Sequence, residues 1–136
     1  MGQQQLLLLV FAIVIVAVGV ISGIEAFSRK MEQSAADNLV DRNLSIAAEA
    51  VAWKTKRDPY NGGNASYVGL ETDGLAKLFL NETTNNGIFA ITHATVDELH
   101  ITGVSNSFPN LGSRTYISGY TIDSTVVTYD SSISID

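Results

Sequence analysis

The sequence contains no cysteine, two prolines and one tryptophan among its 136 residues. Without cysteine the chain can form neither disulfide bonds nor cysteine-ligated zinc sites, and thiol catalysis is excluded. Cations are also scarce, since eight lysines and arginines stand against fourteen aspartates and glutamates, giving a net charge of −6. Because nucleic-acid binding requires clustered cations that neutralise phosphates, we expect no nucleic-acid partner.

An uncharged stretch without proline occupies residues 6–24. A helix needs about 20 apolar residues to cross the hydrocarbon core of a bilayer, which is nearly the length available here. One interpretation is therefore a single-pass membrane anchor. A cleaved secretory signal is disfavoured, because no basic residue precedes the run and the run is longer than a usual signal core. The candidate packing residues are Leu6, Leu7, Leu8, Leu9, Val10, Phe11, Ile13, Ile15, Gly19 and Gly23.

Gly19 and Gly23 form a GxxxG pattern inside the apolar run, and Ala12 and Ala17 add further small positions. This spacing lets two helices approach closely in lipid-like surroundings. The alternative is chance, because small residues are common in apolar segments. We interpret the pattern as a possible helix-packing surface.

Residues 28–57 contain neither proline nor glycine, and small or apolar side chains recur there at helical spacing. Most charged residues, Lys54 among them, fall outside this stripe, which predicts an amphipathic helix. The simplest interpretation is one continuous helix over residues 3–57, ended by Asp58 and Pro59 because the residue before proline disfavours helical geometry. The main face comprises Met31, Ala35, Leu39, Ile46, Ala50 and Trp53.

The remainder of the chain is rich in turn residues and β-formers. Turn residues predict a loop over residues 58–64, and residues 71–80 predict a short helix capped by Thr72 or Asp73. Alternation then predicts strands at residues 88–95, 99–105, 114–122 and 125–135. The expected fold is α+β: a long N-terminal helix, apolar in its first half and amphipathic in its second, packed on an antiparallel sheet of about four strands.

The third and fourth predicted strands are joined by a turn at Asp123 and Ser124. In the fourth strand, alternate positions carry apolar side chains, the period of a strand with one buried face. That predicted apolar face comprises Val127, Tyr129, Ile133 and Ile135.

His93 and His100 are the only histidines, and they lie on neighbouring predicted strands. Two histidines without a placed carboxylate make a poor metal site, so surface strand positions explain them better. The sequence also lacks a nucleophile–base pattern and a phosphate-binding loop. We therefore expect no catalytic residue, no metal, no cofactor and no enzymatic activity.

Three N-x-S/T sequences offer candidate glycosylation sites at Asn43, Asn64 and Asn81. Such short sequences also arise by chance, and their use depends on the exporting host. Asn64 and Asn81 fall in predicted loops, so they are the better candidates.

The two-part helix over residues 2–57 resembles the N-terminal helix of type IV pilins and related archaeal and bacterial pilin-like filament subunits. The resemblance implies three parts: residues 1–27 in the filament core, residues 28–57 on the subunit's own head, and residues 58–136 as the β head. It also implies that the apolar half waits in the inner membrane before assembly. The implied partners are many copies of the same chain and the pilus assembly machinery.

In the pilin family a glycine marks the processing site, and the resemblance assigns this role to Gly2 and Gln3. If processing falls after Gly2, the fifth mature residue is Leu7, where the family usually has a glutamate. The resemblance predicts a structural subunit of a helical extracellular filament on the cell surface. Two alternatives stay open: a single-pass membrane-anchored β binding module, and a minor pseudopilin of a secretion or uptake machine.

Overall fold

The computed structural model of the protein describes residues 2–57, 62–130 and 133. Helix α1 spans Gly2–Thr55, a 3-10 turn spans Val68–Leu70, and the short helix α2 spans Gly74–Lys77. Contacts divide the chain into two units, Met1–Gln33 and Ser34–Asp136, and we call the second unit the head.

A four-stranded antiparallel sheet forms most of the head, in the sequential order β1-β2-β3-β4. Consecutive strands therefore pair with each other through short connections. Together with α1, this sheet confirms the predicted α+β fold of a long N-terminal helix on an antiparallel sheet. The strands are β1 Gly87–Ala94, β2 Glu98–Ser105, β3 Gly112–Ser118 and β4 Thr121–Thr128.

Within the head, α1 buries a stripe whose members recur three or four residues apart, as an amphipathic helix requires. The stripe contains most of the predicted face, but Met31 is half exposed rather than buried. It also contains two polar residues that periodicity alone did not place there, Asn43 and Lys54. The buried residues of α1 are Ala36, Leu39, Asn43, Ile46, Ala47, Ala50, Trp53 and Lys54.

Small residues on the inner face of the sheet let α1 approach closely. A Cβ added to Gly103 would lie 2.6 Å from the Phe89 ring and 3.2 Å from Oδ1 of Asn43. On the next strand, Nδ2 of Asn43 donates a hydrogen bond of 2.7 Å to Oγ of Ser113. The amide nitrogen is thus paired across the interface, whereas the buried Oδ1 of Asn43 has no hydrogen-bond partner among the described residues. The pairing therefore offsets only part of the cost of removing the amide from water.

Helix α1 ends two residues earlier than predicted, and the following loop caps it. The N–H of Gly63 donates to the carbonyl of Trp53 at 2.9 Å, and the N–H of Ala65 donates to that of Lys54 at 2.9 Å. A Cβ on Gly63 would lie 2.7 Å from the Trp53 ring, so the cap requires glycine at this position. The predicted helix stop at Asp58 and Pro59 lies outside the described residues.

Helix α2 is much shorter than the predicted helix over residues 71–80, and Asp73 occupies its N-cap position without the side-chain hydrogen bond that capping requires. It ends in a Schellman motif. The N–H of Leu80 donates a hydrogen bond to the carbonyl of Leu75, and the N–H of Phe79 donates one to the carbonyl of Ala76. The left-handed residue of this motif is usually glycine, but here it is Phe79, with φ of 60°. A side chain in this conformation costs roughly 1–2 kcal/mol.

The boundary between the third and fourth strands corrects the sequence prediction. The chain turns at Gly119 and Tyr120, so Asp123 and Ser124 lie inside β4 instead of in a turn. Gly119 adopts φ of 64°, which glycine reaches without steric cost. A register shift between Tyr116 and Ile117 also interrupts the alternation that favoured one longer strand.

Strand β4 ends at Thr128, so the predicted apolar face extends beyond it. Val127 packs against the core, as predicted. Tyr129 follows the strand and is half exposed, which contradicts its placement on a buried face. Ile133 is partly buried outside any strand, and Ile135 lies outside the described residues.

Candidate functional site

The first unit presents an apolar surface that nothing in the described chain covers. Its helix contains a stretch long and apolar enough to cross a membrane, and none of that stretch is buried. The eight large side chains proposed for packing are between 51% and 69% exposed. They are Leu6, Leu7, Leu8, Leu9, Val10, Phe11, Ile13 and Ile15.

Fifteen large apolar side chains of residues 6–27 are exposed in this way. Full burial of one such side chain is worth about 1.5–3 kcal/mol, and here somewhat more than half of each remains to be buried. Covering the segment therefore releases on the order of 20 kcal/mol before the cost of association. A surface of this size requires lipid, another protein, or both.

Gly19 and Gly23 lie on this apolar surface, on the same helix face as Ala12 according to their spacing of seven and four residues. A Cβ added to either glycine meets no atom of the described chain within 4 Å. Nearby, Ala12, Ile13, Val16 and Ala17 line a shallow apolar hollow of about 400 Å³. The described residues give no packing reason for the glycines, so any requirement for them must come from outside these residues.

The candidate processing residues Gly2 and Gln3 are exposed and form the start of α1. Their accessibility suits cleavage, but processing at this position stays a prediction.

The three candidate glycosylation sites differ sharply in accessibility. Asn43 is fully buried and bonded to Ser113, so the folded head offers no space for a sugar there. Asn64 and Asn81 are exposed, which suits their proposed use. The burial of Asn43 therefore reduces the candidates to two.

His93 and His100 face each other across β1 and β2, with ring centroids 4.7 Å apart. Tyr116 continues this row on β3, edge-on to His100 at 4.6 Å. In the described part of the chain, no group of three His, Asp or Glu side chains is arranged to hold a metal ion. Burial lowers the pKa of His100, and His93 and Arg114 lower it further, whereas Glu98 raises it.

The lowered pKa of His100 predicts that the head loses stability in mild acid. The unfolded chain binds the proton more tightly, so the contribution of His100 is complete above about pH 6.5 and is lost as the pH falls through the folded-state pKa. As the pH falls from about 7.5 to 5.5, the free energy of unfolding should decrease more in wild type than in His100→Gln. The difference between the two proteins should be at most ~1.4 kcal/mol per pH unit. Urea titration of the whole chain in detergent, followed by Trp53 fluorescence, measures both.

His93→Gln provides the matched control, because it removes one repulsive neighbour and leaves His100 in place. Its pH dependence should lie between those of wild type and His100→Gln. Equal pH dependence in all three proteins would contradict the assignment to His100.

Lys54 is the site residue that periodicity placed wrongly, since it was expected on the polar face. The residue is 1% exposed, and Nζ lies 4.4 Å from the centroid of Tyr67 and 4.5 Å from that of Tyr120. Nζ also donates to the carbonyl of Gly119 at 3.2 Å. Residue 54 falls four residues after the buried Ala50, but a lysine at the edge of an apolar stripe is ordinarily assigned to solvent, so spacing alone gave no reason to bury it.

Tyr67 completes this arrangement by donating a hydrogen bond of 2.7 Å to the same carbonyl of Gly119. Burial, with smaller contributions from Tyr120 and Asp97, raises the pKa of Tyr67 to about 12. Asp97 also lies 3.5 Å from Nζ of Lys54, but it is 78% exposed, so this ion pair is largely screened by solvent. The group holds the end of α1 to the β3–β4 turn.

Comparison of the chain with family models, curated proteins and solved structures finds no match. The architecture of a long N-terminal helix followed by a small antiparallel sheet is compatible with a pilin-like α+β fold. The functional surfaces of the molecule must therefore be sought on the chain itself, where the exposed apolar stretch of α1 carries fifteen large side chains.

Proposed function

We propose that the protein is a structural subunit of a pilin-like helical filament on the cell surface, polymerising through residues 6–27 of α1. The observation that carries the proposal is the apolar surface of this segment, which is exposed all round in the isolated chain. A simple anchor needs such a surface as well, so the continuity of α1 is the second support. Glycine and proline are both absent from residues 24–57, whereas a tethered module usually has a flexible stalk.

Burial of the apolar segment supplies the driving force in this proposal. The segment is first buried in the membrane and then against the same segments of other copies. A contact between different surfaces of successive subunits, if it does not close into a ring, generates an open helical polymer. Because the gain is spread over fifteen large side chains, loss of a single head contact should leave assembly intact.

Negative-stain microscopy of material sheared from cells, combined with mass spectrometry, tests the proposal directly. Thin filaments composed mainly of this chain are the expected result. The mass of the N-terminal peptide also decides whether processing occurs at Gly2. Recovery of the chain only as a monomer in detergent-solubilised membranes would instead support the tethered β module.

Gly19→Leu and Gly23→Leu are expected to reduce filament number at least several-fold while the head stays folded. The Cβ that either substitution adds meets no atom of the described residues within 4 Å, and each substitution should stabilise the isolated helix by up to about 1 kcal/mol. Impaired assembly would therefore report a close contact with another helix. Filament counts per cell, with the amount of chain in the membrane fraction, give the measurement.

Gly19→Ala serves as the matched control, because it keeps a small residue at the contact, and Val18→Leu adds bulk beside it. Both controls should form filaments normally. If both glycine-to-leucine variants form filaments of normal number and symmetry, the GxxxG hypothesis is wrong.

A further inference from the structure

One end of the head contains an exposed aromatic side chain that the fold itself does not need. Phe79 is 91% exposed, although it occupies the left-handed position that favours glycine. Within the head, the ring gains almost no burial in return for the strained backbone. A strained backbone that carries an exposed aromatic ring points to a contact of that ring outside the subunit.

A cleft of about 540 Å³ lies beside Phe79, and we call it the basic cleft. Three of the eight cations in the chain line it: Lys56, Arg57 and Lys77. Among the described residues that line the cleft, Glu49 is the one that is acidic, so this described lining has a net charge of two positive in a chain whose net charge is −6. Such a surface suits an acidic partner with room for an aromatic ring.

The head also carries a surface with the complementary charge, which we call the acidic groove. This concavity of about 310 Å³ is lined by Glu98 and Asp123, next to the half-buried rings of His100 and Tyr116. It lies on the sheet, on strands that do not line the basic cleft. Its carboxylates match the excess cations of the cleft, and its two rings offer an aromatic surface to Phe79.

We propose that the basic cleft and Phe79 of one copy dock onto the acidic groove of a second copy. Because the two surfaces differ, the contact is heterologous, and each subunit keeps one of them available for the next copy. This inference extends the proposed filament, and it assigns to the heads the contact that fixes the order of neighbouring subunits. The occupant is a second copy because the matching surface is present on the same chain.

Cysteine cross-linking tests the contact in the whole chain, since the sequence has no cysteine of its own. Ala52 lines the cleft and Ser124 lines the groove, and neither is part of the charged or aromatic contact. In cells, the double variant Ala52→Cys with Ser124→Cys, treated with a short bismaleimide, should give a ladder of dimers, trimers and larger species. A mixture of the two single variants should give dimers only.

Ala52→Cys with Ser107→Cys is the matched control. Glu98 begins β2, whereas Ser107 is exposed and lies just after the other end of that strand. This control should give at least ten-fold less cross-linked product. Adding Phe79→Gly to the first pair should reduce the ladder by a similar factor, while the melting temperature of the head stays the same or rises. A purely structural role for Phe79 would instead lower the melting temperature.

Charge reversal provides an independent readout on the same cross-linking pair. Lys56→Glu with Arg57→Glu should weaken the ladder, and so should Glu98→Lys with Asp123→Lys. All four substitutions together should restore it, because the charges match again. Failure of the combined variant while each half alone weakens the ladder would overturn the charge pairing.

Cross-linking and microscopy on the same cells separate this contact from the filament proposal. Filaments that form without the cross-linked ladder would overturn the head contact and leave the filament proposal intact. The same conclusion would follow if the Ser107 control gave an equal ladder. A ladder without filaments would support the contact and overturn the filament. Absence of both would reject both.

Discussion

Val14→Asp combined with Val18→Asp is expected to remove the protein from the membrane fraction and to abolish filaments. Both positions lie near the middle of the apolar segment and are more than half exposed in the isolated chain. One aspartate at the centre of a membrane helix costs about 2.5–3.5 kcal/mol, so two cost roughly 5–7 kcal/mol. Partition into the membrane should fall by roughly 10³- to 10⁵-fold, which carbonate extraction followed by immunoblotting measures.

The matched control places the same two aspartates on the polar side of the same helix. Ser34→Asp and Asn38→Asp have the same spacing, and both positions are exposed. This variant should remain in the membrane pellet and form filaments. Retention of the Val14 and Val18 variant in the pellet would show that the apolar segment is not what holds the protein there.

Lys54→Ala is expected to lower the free energy of unfolding of the head by about 2–4 kcal/mol, the range for truncating a buried side chain of this length. The loss has two parts: packing of the four-carbon stem, and the contacts of Nζ with two rings and the Gly119 carbonyl. Lys54→Met keeps most of the stem and should lose only about 1–2 kcal/mol. Urea denaturation of the whole chain in detergent measures these differences.

Two exposed positions provide the controls for Lys54. Lys56→Ala removes an exposed lysine two residues further on and should change stability by less than about 0.5 kcal/mol. Asp97→Asn should also cost less than about 0.5 kcal/mol, because the carboxylate is mostly solvated. A larger loss from Asp97→Asn than from Lys54→Met would mean that the ion pair, rather than the rings and the carbonyl, stabilises the site.

The fold was predictable where a physical requirement leaves a local pattern in the sequence. A helix that needs apolar surroundings on all sides must be apolar nearly all round, and residues 6–24 carry no charge and a single hydroxyl, that of Ser22. A helix packed on one side shows a stripe, and Leu39, Ile46, Ala50 and Trp53 are buried as predicted.

Other features depend on partners far away in the sequence and leave no local pattern. Asn43 is buried because Ser113, seventy residues later, pairs with its amide. Lys54 is buried because the Gly119 carbonyl, sixty-five residues later, accepts a hydrogen bond from its Nζ. Polar residues on an otherwise apolar stripe are usually assigned to solvent, and only the three-dimensional pairing shows when that assignment is wrong.

Local rules also failed where two of them competed. The alternation of Tyr116, Tyr120 and Ile122 favoured one strand, but Gly119 provided an equally good turn and the turn prevailed. Phe79 is the reverse case, since the motif at the end of α2 favours glycine and the sequence supplies an aromatic residue. Such a conflict between local preference and fold is expected at functional surfaces, which supports the choice of Phe79 for the docking experiment.

The hydrogen bonds of Gly119 can form only late in synthesis, well after the apolar segment has been translated. Its carbonyl accepts hydrogen bonds from Lys54 and Tyr67, and the N–H of Gly119 donates to the backbone carbonyl of Asp97, so one late residue ties together three earlier segments. Roughly 90 residues separate it from the end of the apolar segment, which takes about 5–20 s to translate at about 5–20 residues per second. The apolar segment therefore leaves the ribosome long before the head can close, and the head completes its folding on a chain whose N-terminal segment is already available for insertion.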